Sequence, residues 1–398
     1  MARIVYQEMK QPRAFFYGLV SLHAAVIAVG LAAAYYMEHN GHVVTGMNNQ
    51  IVWGLPHVFA VFLIVAASGA LNVASISSVF QKLDYKPFAR LSGLLAVSLL
   101  IGGLAVLVLD LGRPDRLIVA MTTYNFKSIF AWNIYLYTGF VVIVAAYLWT
   151  MMDRSAAAYN KPVAFLAFLW RLILTTGTGS IFGFLVAREA YAAAIMAPLF
   201  IAASFAYGLA FTILALITMC RSMESMLMTD EVVYKFRSLM ILFILAVLYF
   251  TAVQHLANMY WAKHQGVERF LLLEGGVYTA VFWIGQILIG SIAPMAVLAY
   301  GPMATTRWGI TLASLLVLVG GIAHMYTIII AVQAYPLNLF PGMEVSSSFG
   351  DGQVTHYMPS IPEFLLGVSG ISIAMLLAAV AILFLRFLPK PETVVPNA

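Results

Sequence analysis

Ten long apolar runs decide what this chain can fold into. They lie near residues 14–36, 51–79, 89–110, 129–152, 162–186, 191–220, 236–261, 277–300, 308–333 and 361–388. About 20 apolar residues in a helix cross roughly 30 Å of hydrocarbon while satisfying every backbone polar group internally. The pattern predicts an all-α, polytopic membrane protein of about ten transmembrane helices, with residues 1–398 forming a single integral domain. Charged residues are 9% and hydrophobic residues 63% of the chain, against about 25% charged in an average soluble domain. Such a composition excludes a soluble enzyme, a disordered chain and a secreted disulfide scaffold. The first run follows Arg3, Lys10 and Arg13 as a signal peptide would, but it exceeds a signal core of about 7–15 residues and predicts an uncleaved anchor.

Ten spans place both termini on one side. Of the 21 Lys and Arg residues, fourteen fall on that side, six on the other, and Arg171 falls within a span. Positive charge stays inside, so both termini are expected in the cytoplasm of a prokaryote, the protein being multi-pass in its cytoplasmic membrane. The net charge of +5 is then a topology signal and no evidence for nucleic acid. The lone cysteine, Cys220, cannot supply a zinc site or an iron–sulfur cluster, and no Cys-x-x-Cys-His haem attachment occurs. If electrons pass through this protein, a small molecule or a partner carries them. Between the spans, the segment Ala334 to Glu363 is long and rich in Pro and Gly. It reads either as a solvated connector or as an external docking platform, to which 37–50, 111–128 and 262–276 could contribute.

An ionisable group at the centre of a span costs about 2.5–3.5 kcal/mol on insertion scales, so such groups mark interiors and cavities. Most of them here map to the predicted outer leaflet. His57 opens the second span after Trp53-Gly54-Leu55-Pro56. Asp110 closes the third and leads into Leu111-Gly112-Arg113-Pro114. Trp132 and Asn133 begin the fourth, Arg188 lies between the fifth and sixth, His255 and Tyr260 end the seventh, and His324 lies in the outer part of the ninth. A quinone needs hydrogen-bond partners for two oxygens, an aromatic slot, and groups that exchange two protons. Histidine, titrating near pH 6.5, suits that exchange. His57, Asp110 and His255 are accordingly the candidate catalytic residues, with Arg113, Trp132, Asn133, Arg188, Tyr260 and His324 as candidate quinone-binding residues and no metal ligand. Plainer readings stand beside these. Asp110 and Arg113 could be an interfacial ion pair, His57 a polar helix start, His255 and His324 interhelical hydrogen-bond partners, and Trp132 a belt residue. Deeper in the bilayer, His23 and Arg171 read as structural anchors, with Glu224 available to pair Arg171.

The Trp53-Gly54-Leu55-Pro56 opening, the Asp110-to-Pro114 turn and Asn125-Phe126-Lys127-Ser128 before Trp132-Asn133 resemble the NrfD/polysulfide reductase membrane-subunit family. Ala334 through Gly342, Phe349-Gly350-Asp351-Gly352 and Pro359-Ser360-Ile361-Pro362-Glu363 make the chain similar to its ten-helix DsrP branch. The resemblance implies a quinone/quinol-interacting subunit with no metal centre of its own, using menaquinone or ubiquinone near the outer face. It also implies partners: a periplasmic ferredoxin-like iron–sulfur subunit, a multihaem cytochrome c, and a haem b membrane subunit with its cytoplasmic catalytic partner. Some members carry an acidic residue where Asn133 stands. Asn133 cannot titrate, which weighs against a proton-pumping role. A proton-coupled secondary transporter is the alternative, although transporters place their sites near the midplane. A b-type cytochrome would need a bis-histidine pair that the sequence does not offer.

Overall fold

In the computed structural model, residues 4–188, 191–223, 227–337, 343 and 352–390 are described. Ten helices long and apolar enough to span a bilayer are present among them: α1 (Ala14–Asn40), α2 (Leu55–Ser78), α3 (Leu83–Leu109), α4 (Ile129–Met152), α5 (Ala157–Gly183), α6 (Met196–Met223), α7 (Asp230–Tyr260), α8 (Val277–Ala299), α9 (Arg307–Ala334) and α10 (Ile361–Phe384). The all-α, ten-span expectation matches this architecture. Two short strands, β1 (Tyr6–Gln7) and β2 (Leu388–Pro389), pair antiparallel, so the segments that precede α1 and follow α10 meet on one face. Arg90 fastens that face: it lies over the Tyr6 ring at 4.0 Å and donates to the carbonyls of Arg386 and Met151. The opposite face, which the charge count predicts to be external, is called distal below.

Helix α2 is the hub. It is apolar on every side, and 94% of its most apolar window is buried, against 11% for α1. A helix that is apolar all round belongs in a core or in lipid, and α2 takes the first course by packing against α3, α6 and α10. Helix α1 is held only from one side, chiefly by α10, with His23 Nδ1 lying 3.2 Å from Ser372 Oγ.

Contact at the hub is backbone to backbone. A Cβ built on Gly69 of α2 would stand 1.6 Å from the Ser204 carbonyl oxygen of α6, so no side chain fits there. A second crossing joins α8 to α9, where a Cβ on Gly320 would lie 1.9 Å from Gly290 Cα. Close approach through small residues is how helices gain packing energy in lipid, where no hydrophobic force drives them together. The α8 and α9 helices also widen to π geometry over Val281–Ile292 and Thr327–Ala331, a feature frequent near functional sites.

Because backbone on both sides blocks relief, Gly69→Ala is expected to destabilise the bundle by more than the about 1–3 kcal/mol usual for overpacking. Gly18→Ala, at an open position of α1, should be neutral. Thermal unfolding of both variants in detergent checks this.

Candidate functional site

The distal ends of α2 and α3 bring His57 and Asp110 together. Pro56, in the first turn of α2, places His57 one residue further on. Asp110 caps α3, its N–H closing on the carbonyls of Val106 and Val108. His57 Nδ1 lies 2.8 Å from Asp110 Oδ2, with the carboxylate fully buried and the imidazole 19% exposed. The distance is that of an ion pair, but the alignment is not that of a hydrogen bond, and neither Asp110 oxygen has a hydrogen-bond partner among the described residues. Arg113 does not supply one; it turns outward to Asp115 at 3.3 Å.

Aromatic rings gather around this pair. The Trp53 indole stacks on His57 at 6.4 Å and touches Phe130, Phe182 and Tyr191 at 6.0, 5.8 and 6.4 Å. Gln333 of α9 fixes the turn that carries Trp53. Its Oε1 accepts from the N–H groups of Val52 and Trp53, and its Nε2 donates to the Trp53 carbonyl. Arg188 donates to the carbonyls of Gln50 and Gln333, so it clamps the loop behind the site. Burial lowers the affinity of its guanidinium for a proton, and burial pushes the neighbouring Tyr191 phenol well up from its ordinary value. Tyr191 therefore stays a donor, to the Ile329 carbonyl at 2.9 Å. Below the loop, Glu363 accepts from Tyr357 Oη at 2.5 Å and from the N–H groups of Gly46 and Ser360. Burial first, then that carboxylate, raises the Tyr357 hydroxyl far above the usual phenol range.

His255 lies elsewhere. At the distal end of α7 its Nδ1 stands 2.6 Å from Glu268 Oε2, and Asn258 Nδ2 donates to Glu268 Oε1 at 2.7 Å. Asn258 Oδ1 then faces His264 Nδ1 at 3.1 Å, which makes that nitrogen the donor. All four residues are buried. His324 is about 15 Å inward of the end of α9 at 1.5 Å per residue, with Nδ1 2.7 Å from Tyr207 Oη. Tyr207 packs on Phe62 of α2.

The single cluster expected from the sequence is thus divided: His57 stands with Asp110 and His255 with Glu268, while His324 bonds Tyr207. Three other candidates face outward. Tyr260 is 92% and Trp132 50% exposed, the Trp132 indole donating to the Phe126 carbonyl, and Arg113 is exposed as well. Asn133 is buried but bonded to the carbonyls of Ile129 and Gly177, as a helix-to-helix tie. Midway along α5, Arg171 is held by Asn72 at 3.1 Å between the rings of Phe168 and Phe205. Glu224 and much of the 334–363 segment lie outside the described residues. Sequence reading missed Glu268, Gln333, Tyr357 and Glu363. The i, i+3 spacing of His255 and Asn258, which sets both on one helix face, was the available signal for the first.

The family model for "Polysulphide reductase, NrfD" matches residues 43–336. Among curated proteins, the chain is similar to an Hdr-like menaquinol oxidoreductase integral membrane subunit of Archaeoglobus fulgidus, 29% identical over 94% of each chain. It is also similar to a putative dimethyl sulfoxide reductase membrane subunit of Halobacterium salinarum, 27% identical over 94% of this chain and 91% of that one. A selenate reductase subunit of Mesobacillus selenatarsenatis is 22% identical over 93% of this chain and 94% of its own.

Removing one partner of a buried ion pair costs about 3–5 kcal/mol. Glu268→Leu, which strands His255 and Asn258, is expected to lower stability by that order, and Glu268→Gln by clearly less. Denaturation of the detergent-solubilised protein measures both.

Proposed function

The chain belongs to the NrfD polysulphide reductase family, and we propose that it is the quinone/quinol-interacting membrane subunit of a respiratory or sulfur-metabolism redox complex. Electrons pass between the membrane quinone pool and an external iron–sulfur partner, and the reaction site is His57 with Asp110. One observation carries this reading: a buried carboxylate with neither oxygen hydrogen-bonded among the described residues, beside an imidazole, inside an aromatic surround at the distal end of the bundle. A quinol presents a flat ring and two hydroxyl groups, which is the complement of that arrangement. The names of the relatives support the redox class over a transporter.

The division of labour follows from the geometry. Trp53 and its neighbouring rings hold a planar head group and exclude water. The unsatisfied Asp110 oxygens accept a hydrogen bond from one hydroxyl and fix its position. His57, partly exposed, takes the two quinol protons one after the other, releasing the first toward the distal face before accepting the second; Asp110 steadies the cationic imidazole each time. In the reverse direction the same groups deliver protons. A quinol bound there supplies the two electrons and both protons, and the chain supplies position and proton transfer. The menaquinol named for the archaeal relative favours a menaquinone-type substrate. The finer assignment to a sulfur-metabolism complex, with a multihaem cytochrome c and a haem b subunit, rests on the 334–363 motifs; neighbouring genes for those partners test it.

A positioned general acid–base group is worth roughly 10²–10⁴-fold in rate. His57→Ala in the intact complex is expected to slow quinol-driven electron transfer by that order, and Asp110→Asn to weaken quinol binding. Unchanged turnover in both variants overturns the reading.

A further inference from the structure

A row of buried hydroxyl and amide groups crosses the bundle between α2, α4 and α5, and the site described above does not use it. At the distal end Thr178 Oγ1 stands 3.5 Å from Asn133 Oδ1 and 3.4 Å from Tyr137 Oη. One turn deeper on α5, Thr175 Oγ1 donates to Ser68 Oγ at 2.5 Å, and Ser68 Oγ to the Arg171 carbonyl at 3.1 Å. The Arg171 guanidinium reaches Asn72 Oδ1. Past Asn72 the inner turns of α2 carry Ser75 and Ser78, with Ser78 Oγ 2.5 Å from Tyr147 Oη. Thr150, bonded to the Tyr147 carbonyl and to Asn160 Nδ2, ends the row at the proximal face. From Asn133 to Thr150 is seventeen residues of α4, about 26 Å at 1.5 Å per residue, close to the roughly 30 Å of hydrocarbon. Phe182, one turn beyond Thr178, packs on Trp53, so the row begins just beneath the rings around His57.

We propose that Arg171 is the electrostatic barrier that closes this row to protons, so that the chain holds the gradient across its own membrane. Steps of one helical turn, about 5–6 Å between Cβ atoms, are the length that one bridging water spans, and hydroxyls so linked pass a proton unless a charge opposes it. Arg171 supplies that charge. It is 1% exposed, and a guanidinium stays protonated in proteins. Of the residues in the row, it alone keeps buried polar atoms, Nε and Nη1, with no hydrogen-bond partner among the described residues. Its neighbours favour the cation without cancelling it. The rings of Phe168 and Phe205 lie 5.1 and 5.0 Å away, attracting a cation through their faces, and residue 72 is an amide where an acid would neutralise. At an effective dielectric constant of about 20, an excess proton about 5 Å away is depleted on the order of a hundredfold. An arginine lining a pore excludes protons and cations by the same repulsion. The inference stands apart from the quinol reading.

The test uses the full chain in liposomes that enclose a pH-sensitive dye, with a potassium diffusion potential set by valinomycin and no quinone added. The unsubstituted protein and Arg171→Lys are expected to hold the internal pH, and Arg171→Gln to admit protons at least tenfold faster. Asn72→Asp sets a counter-charge against the guanidinium while the arginine and its packing stay in place. It is expected to leak as well, and it carries the test if Arg171→Gln does not fold. Adding Thr175→Val and Ser68→Ala to Asn72→Asp interrupts the row distal to the arginine and should return the flux to the unsubstituted rate. Asn72→Asp liposomes as tight as the unsubstituted ones overturn the proposal, as does an unsubstituted chain that leaks at the variant's rate. A leak that carries sodium or chloride equally well, or that survives Thr175→Val with Ser68→Ala, is a packing defect and overturns it too. Silence of His57→Ala in quinol turnover would remove the quinol reading and leave the barrier untouched.

Discussion

A carboxyl group taken out of water loses several kcal/mol of hydration unless neighbours replace it, and among the described residues Asp110 finds only one, the His57 imidazole. The rest of the distal architecture keeps that placement in being. Helix α2 carries His57 and is buried on nearly every side. The Gly69 crossing fixes α2 against α6 by backbone contact, so the helix cannot slide or rotate to bring the histidine elsewhere. Gln333 and Arg188 reach across from α9 and from the loop before α6 to lock the Trp53 turn above it. These ties hold the Trp53 turn beside His57, and both Asp110 oxygens are left without a hydrogen bond among the described residues.

The second acidic residue in a distal interior, Glu268, shows the opposite solution. His255 and Asn258 occupy its oxygens, and His264 completes the chain of hydrogen bonds. A network so nearly satisfied rigidifies. The two carboxylates thus differ in hydrogen bonding, Asp110 unsatisfied and Glu268 satisfied, although each has a histidine neighbour.

The membrane class and the ten spans were legible in the sequence, because a run of about 20 apolar residues reports a span directly. Angular position was not legible. His57 and His255 both sit toward the distal ends of their helices, yet only packing decides which helix faces which. Trp132 and Tyr260 likewise had the right depth and the wrong direction. Glu268 escaped because it sits between spans, in a stretch with Gln265 and Arg269 that reads as a solvated loop, and only the return of Gln265–Arg269 against α7 buries it. Arg113 was paired on paper with Asp110 by proximity, but the left-handed turn at Gly112 carries it away.

The decisive measurement is the position of a bound quinol analogue in an experimentally determined structure of the complex. The head group is expected against Trp53, with one oxygen in hydrogen-bond range of an Asp110 carboxylate oxygen. A head group resting beside His255, or at mid-membrane near His324, with water filling the space next to Asp110, would contradict the account.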